Sequence, residues 1–147
     1  MGSRTTSSFA YPVDLKQDED GRFVARLPDL VGAVTDGNNR AEALREASGA
    51  LEEAIAACMA SHEDIPRPSP ARGRPCVAPG VLIAAKVALY EAKREVGIGN
   101  VELGRRLGVA ENEIRRCLDP RHATKINRLE DALATLGRRL IVTMDAA

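Results

Sequence analysis

Apolar and polar residues alternate with a period of two in two short runs near the start of the chain. Val13 and Leu15 alternate with Asp14 and Lys16; Phe23, Ala25 and Leu27 alternate with Arg22, Val24 and Arg26. That is the period of a half-buried strand. Asp18, Glu19, Asp20 and Gly21 make a polar turn between the runs, so residues 11–27 read as a hairpin. Pro28 ends it, because proline donates nothing to a ladder. Residues 29–37, DLVGAVTDG, hold a short third strand near residues 33–35. At Asn39 the period changes. Leu44, Ala47, Leu51, Ile55, Cys58 and Met59 recur at steps of three and four, which predicts a helix to about residue 60 with one buried face. Asn39 is placed as its N-cap, and Glu42 three residues on completes a capping box. Three strands followed by a helix laid across one face make a small α+β domain.

Between residues 66 and 79 five prolines alternate with Arg67, Arg72, Gly73 and Arg74, which excludes a long helix. This segment reads as a linker, with 74–77 as a candidate fourth strand of the first sheet. Pro79 suits the first turn of a helix running to about residue 96, whose first half is apolar nearly all round. Part of that helix is expected under the elements that follow, the rest against another subunit or the first domain.

Residues 100–118, NVELGRRLGVAENEIRRCL, then read as helix, tight turn, helix. Leu103 and Leu107 share one face. Gly104 leaves room for a close approach, and Gly108 accepts the left-handed conformation in which helices often stop. Val109 plugs the corner, and Ile114 with Cys117 or Leu118 faces inward. This is the spacing of a DNA-binding helix-turn-helix, although glycine-joined helices also occur in ordinary bundles. Thr124 is placed as cap of a last helix, with Ile126, Leu129, Leu133 and Leu136 as its core stripe and Gly137 as its stop. Residues 139–144, RLIVTM, predict a terminal strand that needs a partner, economically its own copy in a second chain.

Composition refines this picture. Aromatics are 3% of the chain and Trp is absent, so the core must be aliphatic. The net charge of zero hides an asymmetry: residues 1–65 hold 6 Lys/Arg and 12 Asp/Glu, a net of −6, and residues 66–147 hold 15 and 9, a net of +6. Two domains with partners of opposite sign fit that split. Cys58, Cys76 and Cys117 lack the spacing of a disulfide framework or a zinc site, and a reducing cytoplasm is the simpler setting. There is no signal peptide and no apolar run of about 18 residues, so no membrane partner is expected. Residues 1–8 are small and polar, and read as disordered or vector-derived. The domain reading is therefore 9–65, with a possible strand at 74–77, a linker at 66–79, and 80–147.

With Ile114 and Cys117 inward, Glu111, Asn112, Arg115 and Arg116 are left facing out. Arg bridges guanine O6 and N7, and Asn pairs with adenine N6 and N7. The plain alternative is a solvated charged face. Glu111 and Glu113 repel phosphates, which puts base-reading weight on Asn112 and Arg116. Arg106, Arg121 and Lys125 flank the stretch as candidate phosphate contacts. A nuclease would need carboxylates converging on metal ions, and no acidic cluster answers Asp14. His62 and His122 have no constellation around them. Neither catalytic residues, a cofactor nor a metal are expected.

Taken together, these residues resemble HicB-family antitoxins of bacterial type II toxin–antitoxin systems. The front resemblance is YPVDLKQDEDGRFVARLPDLVGAVTDG with Glu-Ala pairs opening the helix; the back one is AAKVALYEAK, VELGRRLGV, RRCLDPRH and ALATLGRRL. Departures are Ala33, near which the family often has cysteine, and Gly104, where alanine is commoner. The resemblance implies a truncated ribonuclease-H-like front domain, β-β-β-α with an added β, that binds a HicA toxin, a small basic mRNA-cleaving ribonuclease. It implies a back domain that binds operator DNA, so that the complex represses its own genes; with the helix-turn-helix and the terminal strand read above, that domain would act in a homodimer or higher oligomer. Asp18, Glu19, Asp20 and Asp29 are then candidate contacts for the toxin, an ordinary hydrated turn being the alternative. The rival reading is a stand-alone helix-turn-helix regulator whose front domain binds a ligand or only oligomerises.

Overall fold

The structure, a computed structural model, describes residues 7–144 and 146. Most of the leader read as disordered or vector-derived lies outside the described residues. The chain forms two compact units, one ending at Gly80 and the other starting at Val81. Its class is α+β, antiparallel strands first and helices after.

In the first unit β1 (Tyr11–Pro12) and β2 (Asp14–Gln17) are one extended run interrupted at Val13. β2 pairs antiparallel with β3 (Phe23–Arg26), and β3 with β4 (Val34–Gly37). The hairpin turn is built by Asp18, whose Oδ1 accepts from the backbone N–H groups of Asp20 (3.0 Å) and Arg22 (2.8 Å). Gly21 takes φ +81° there, a conformation cheap only for glycine. The third strand begins one residue later than its pattern predicts and reaches Gly37, because its ladder is set by pairing with β3 from Arg26↔Val34 to Phe23↔Gly37.

Helix α1 (Arg40–Ala60) is capped by Asn39, whose side chain accepts from the N–H of Glu42 at 2.8 Å. Only half of the capping box forms: the Glu42 carboxylate meets the Asn38 amide rather than the cap's own N–H. The buried row is Ala43, Ala47, Leu51, Ile55 and Met59, a strict four-residue step. The expected Leu44 and Cys58 are only half-buried. At the start of the helix the close neighbour is Gly37, where an added Cβ would lie 2.5 Å from the Ala43 backbone nitrogen. Ala43, not the larger Leu44, is buried there. α1 packs on β3 and β4, and with Tyr11, Val13, Ala25, Leu27 and Leu30 encloses an aliphatic core.

Strand β5 (Cys76–Val77) is half as long as expected and pairs with β1, not with the three-stranded ladder. The N–H of Val13 continues that pairing to the Pro75 carbonyl at 2.8 Å. The proline-rich segment ahead of it is tied down rather than free. Tyr11 Oη donates to the Pro66 carbonyl, and Ser69 gives its N–H and its hydroxyl to Asp29 Oδ2. Arg74 reaches Asp14 and the carbonyls of Pro70 and Ala71. Its arginines therefore count with the first unit. Through Gly80 the first unit carries 9 Lys/Arg and 12 Asp/Glu and the second 12 and 9, so the charge split is −3 against +3, half the expected size.

The second unit is helical: α2 (Val81–Val96), α3 (Asn100–Leu107), α4 (Glu111–Leu118) and α5 (Ile126–Thr135). Pro79 lies ahead of α2, not in its first turn. Ala85, Leu89, Ala92, Leu103, Ile114, Cys117, Leu129, Ala132, Leu133 and Leu136 form one buried cluster. Ile126, expected in the stripe, is exposed, and Ala132 takes the inward place. Thr124 does not cap α5; Lys125 occupies that position without a side-chain bond, and the Thr124 hydroxyl is turned to α4. Residues 139–144 form no strand within the chain. Leu140 packs on the cluster while Ile141, Val142 and Met144 stand exposed.

The Gly37 contact generates a stability prediction. Gly37→Ala should lower unfolding free energy by about 1–3 kcal/mol, the usual cost of forcing extra volume into a packed site. Denaturant titration of the full chain reads this directly, and an unchanged midpoint would contradict the packing described.

Candidate nucleic-acid interface

The turn between α3 and α4 is tight, with Gly108, Val109 and Ala110 joining the two helices. Gly108 takes φ +77°, and its N–H and that of Val109 return to the carbonyls of Arg105 and Gly104. A Cβ on Gly104 would lie 2.8 Å from the Val109 carbonyl oxygen, so the close approach is made by the turn's own backbone, not by a neighbouring helix. Val109 packs against the buried cluster at the corner.

This geometry fixes which face of α4 is outward. Ile114 and Cys117 are 0% and 1% exposed, while the Arg115 and Arg116 side chains are 65% and 51% exposed. Asn112 is exposed beside them and Glu111 is half-exposed. All four expected outward residues thus share one surface. Both arginines are already engaged: Arg115 Nη2 with Glu111 at 3.0 Å and Arg116 Nη1 with Glu113 at 2.7 Å. Such exposed pairs along a helix contribute roughly 0.2–0.5 kcal/mol each, so a phosphate or a base edge displaces them at little cost.

On α3, Arg106 shares the Glu102 carboxylate with Arg105, at 3.1 and 2.6 Å. Hydrogen bonds from Arg105 and then Arg106 hold the Glu102 carboxyl down to about 2. Arg121 and Lys125 are exposed beyond the other end of α4. An eight-residue helix is about 12 Å long, so these two are separated from Glu111 and Asn112 by the length of α4. The base-reading and phosphate-contacting candidates lie along one helix and its two flanks.

Sequence reasoning missed Lys86, the lone charge in the apolar run 81–90. Its side chain is fully buried, and its Nζ donates to the carbonyls of Arg116 (2.9 Å) and Asp119 (2.7 Å) and to Thr124 Oγ1 (2.8 Å). Burial lowers its pKa, partly offset by the nearby Cys117 and Asp119. A single cation in an otherwise apolar stretch is the signal that could have found it, since buried charge requires partners.

The acidic candidates of the first unit separate into two kinds. Asp18 is spent on the hairpin turn and Asp29 on Ser69. Glu19 and Asp20 project from the turn with their side chains exposed. Among the described residues no three His, Cys, Asp or Glu side chains are grouped to hold a metal ion, and no helix is long and apolar enough to cross a membrane.

Comparison with known proteins gives a consistent assignment. Residues 10–88 match the family described as HicB_like antitoxin of bacterial toxin-antitoxin system. The chain is 33% identical to Antitoxin HicB 1 of Photorhabdus laumondii over 92% of its length and 86% of that protein's. To Antitoxin HicB 2 of the same organism it is 36% identical, over 92% of this chain and 96% of the relative. To Antitoxin HicB of Escherichia coli strain K12 it is 34% identical, over 91% and 98%. The sheet-and-helix unit, the helical unit and these near full-length matches together place the chain in the HicB antitoxin family.

Proposed function

We propose that the chain neutralises a HicA-like mRNA-cleaving toxin through its first unit and represses its own operon by binding operator DNA with α3 and α4, a helix-turn-helix. Family membership supports the antitoxin role and implies a toxin partner. The observation that carries the DNA reading is the division of α4 into a buried face of Ile114 and Cys117 and an outward face of Glu111, Asn112, Arg115 and Arg116. Arg116 and Asn112 read base edges in the major groove; Arg106, Arg121 and Lys125 hold phosphates and set the register. The glutamates beside the arginines keep the helix from binding any duplex by charge alone. No enzymatic activity is assigned to the chain, and the cytoplasm, where mRNA and operator are both reached, is its proposed location.

A homodimer or higher homo-oligomer completes the reading. Ile141, Val142 and Met144 are 58%, 76% and 98% exposed, an apolar tail without a strand partner among the described residues. Pairing with the same tail of a second copy covers it and sets two α4 helices side by side for a two-fold operator.

Three outcomes are expected. Arg116→Ala should weaken binding to a duplex from upstream of the chain's own gene by roughly 1–3 kcal/mol; unchanged affinity in a gel-shift titration, with the protein folded, removes it from the site. Reversing Glu19 and Asp20 to lysine should slow association with a basic HicA-like toxin and flatten its salt dependence; Asp18 is left intact because it builds the turn. Full association in a pull-down and unchanged kinetics would end the acidic-turn contact. Val142→Asp should lower the oligomeric state in sedimentation, and an unchanged mass would contradict tail pairing.

A further inference from the structure

The end of α4 is held by a buried cation from α2 as well as by its own backbone. α4 ends at Asp119, whose φ −87° and ψ 112° are extended, and Pro120 follows. No left-handed glycine closes the helix as Gly108 closes α3. The Arg116 carbonyl accepts from the Asp119 N–H at 3.2 Å and the Asp119 carbonyl from the His122 N–H at 3.1 Å, and positive charge is favoured at that end. Lys86 of α2 adds a second donor to each carbonyl and supplies the charge: an ammonium has three N–H donors, and all three are used on Arg116 O, Asp119 O and Thr124 Oγ1. Thr124 passes its own hydroxyl hydrogen to the Arg116 carbonyl at 3.1 Å and meets His122 Nδ1 at 2.9 Å. With that hydrogen spent, His122 Nδ1 is the donor. The node therefore joins α2, the last turn of α4 and the 119–124 loop that presents Arg121. Arg116 belongs to both sides, its carbonyl on the buried ammonium and its guanidinium at the surface.

We propose that Lys86 is a positioning residue for DNA recognition, locking the C-terminal end of α4 and the 119–124 loop onto α2 so that Arg116 and Arg121 are held in one arrangement before DNA arrives. This rests on the reading of α3 and α4 as the DNA-binding element. Lys86 itself touches no DNA. A held base-reading side chain discriminates between sequences, whereas phosphate attraction tolerates movement. Loss of the lock therefore costs discrimination before it costs charge-driven binding.

The test uses the full chain, a duplex from upstream of its own gene and a scrambled duplex of equal length, at one salt concentration and well below the melting temperature. Lys86→Met should weaken binding to the upstream duplex on the order of tenfold, what misplacing one good base contact costs, and leave the scrambled duplex nearly unchanged. Thr124→Val should act in the same direction and Thr124→Ser should restore the wild-type ratio, which a role in bulk stability alone would not produce. If Lys86→Met does not fold, the Thr124 pair carries the test. The double variant Lys86→Met/Thr124→Val should lose less than the two single losses combined, because both remove one node. Wild-type chain that does not discriminate between the duplexes overturns the DNA-binding reading and the role built on it. Wild-type discrimination retained by Lys86→Met and Thr124→Val overturns the positioning role alone.

Discussion

Both units depend on one kind of constraint: backbone brought so close to backbone that no side chain fits between. In the first, Gly37 lets the end of β4 press on the start of α1 at Ala43. In the second, Gly104 lets the turn after α3 fold back over that helix at Val109. With two Phe, two Tyr and no Trp, and Tyr11 and Tyr90 the rings that are buried, close-packed aliphatic side chains must fill most of each core. Tight approach at a glycine is what makes such a core reachable. In the second unit it also decides direction: the Gly104–Gly108 turn selects which face of α4 is outward.

The strands, the long helix with its Asn39 cap, and the helix pair around Gly108 were legible because each is written in local period and local capping. What was not legible depends on contacts distant in sequence. Leu44 looked like core by size, yet Ala43 takes the buried place on α1, which packs on β3 and β4. Thr124 looked like a helix cap, yet its hydroxyl belongs to a node whose cation comes from Lys86. Proline content marked residues 66–79 as a linker, but proline still accepts hydrogen bonds, and Pro66, Pro70 and Pro75 all do. The outward residues of the candidate site followed from the inward pair Ile114 and Cys117. The occupation of Arg115 and Arg116 by glutamates followed from i, i+3 and i, i+4 spacing, which the sequence already contained.

Electrostatics enters twice, with opposite consequences. At the surface, the arginines of α3 and α4 are each matched by a glutamate on the same helix, so this face has little unspent charge. Such pairs exchange cheaply and are screened by salt. In the interior, Lys86 is held by two carbonyls and a hydroxyl, with no carboxylate among the described residues at hydrogen-bond distance. Removing an acceptor leaves an N–H of the buried ammonium unsatisfied, which is costly. The surface charges are thus free to rearrange while the helix carrying them is not. With the charge split only −3 against +3 between units, net charge gives either unit little attraction for a partner of opposite sign.

The central claim is a division of labour: DNA on the second unit, toxin on the first. Amide chemical-shift mapping of the isotope-labelled full chain, titrated with a duplex from upstream of its own gene, tests it most directly. The account predicts that the largest changes fall within residues 100–125, strongest along α4 and the 119–124 loop, while residues 9–65 keep their positions. Changes centred on the β2–β3 hairpin or on α1, with α4 unmoved, would contradict it.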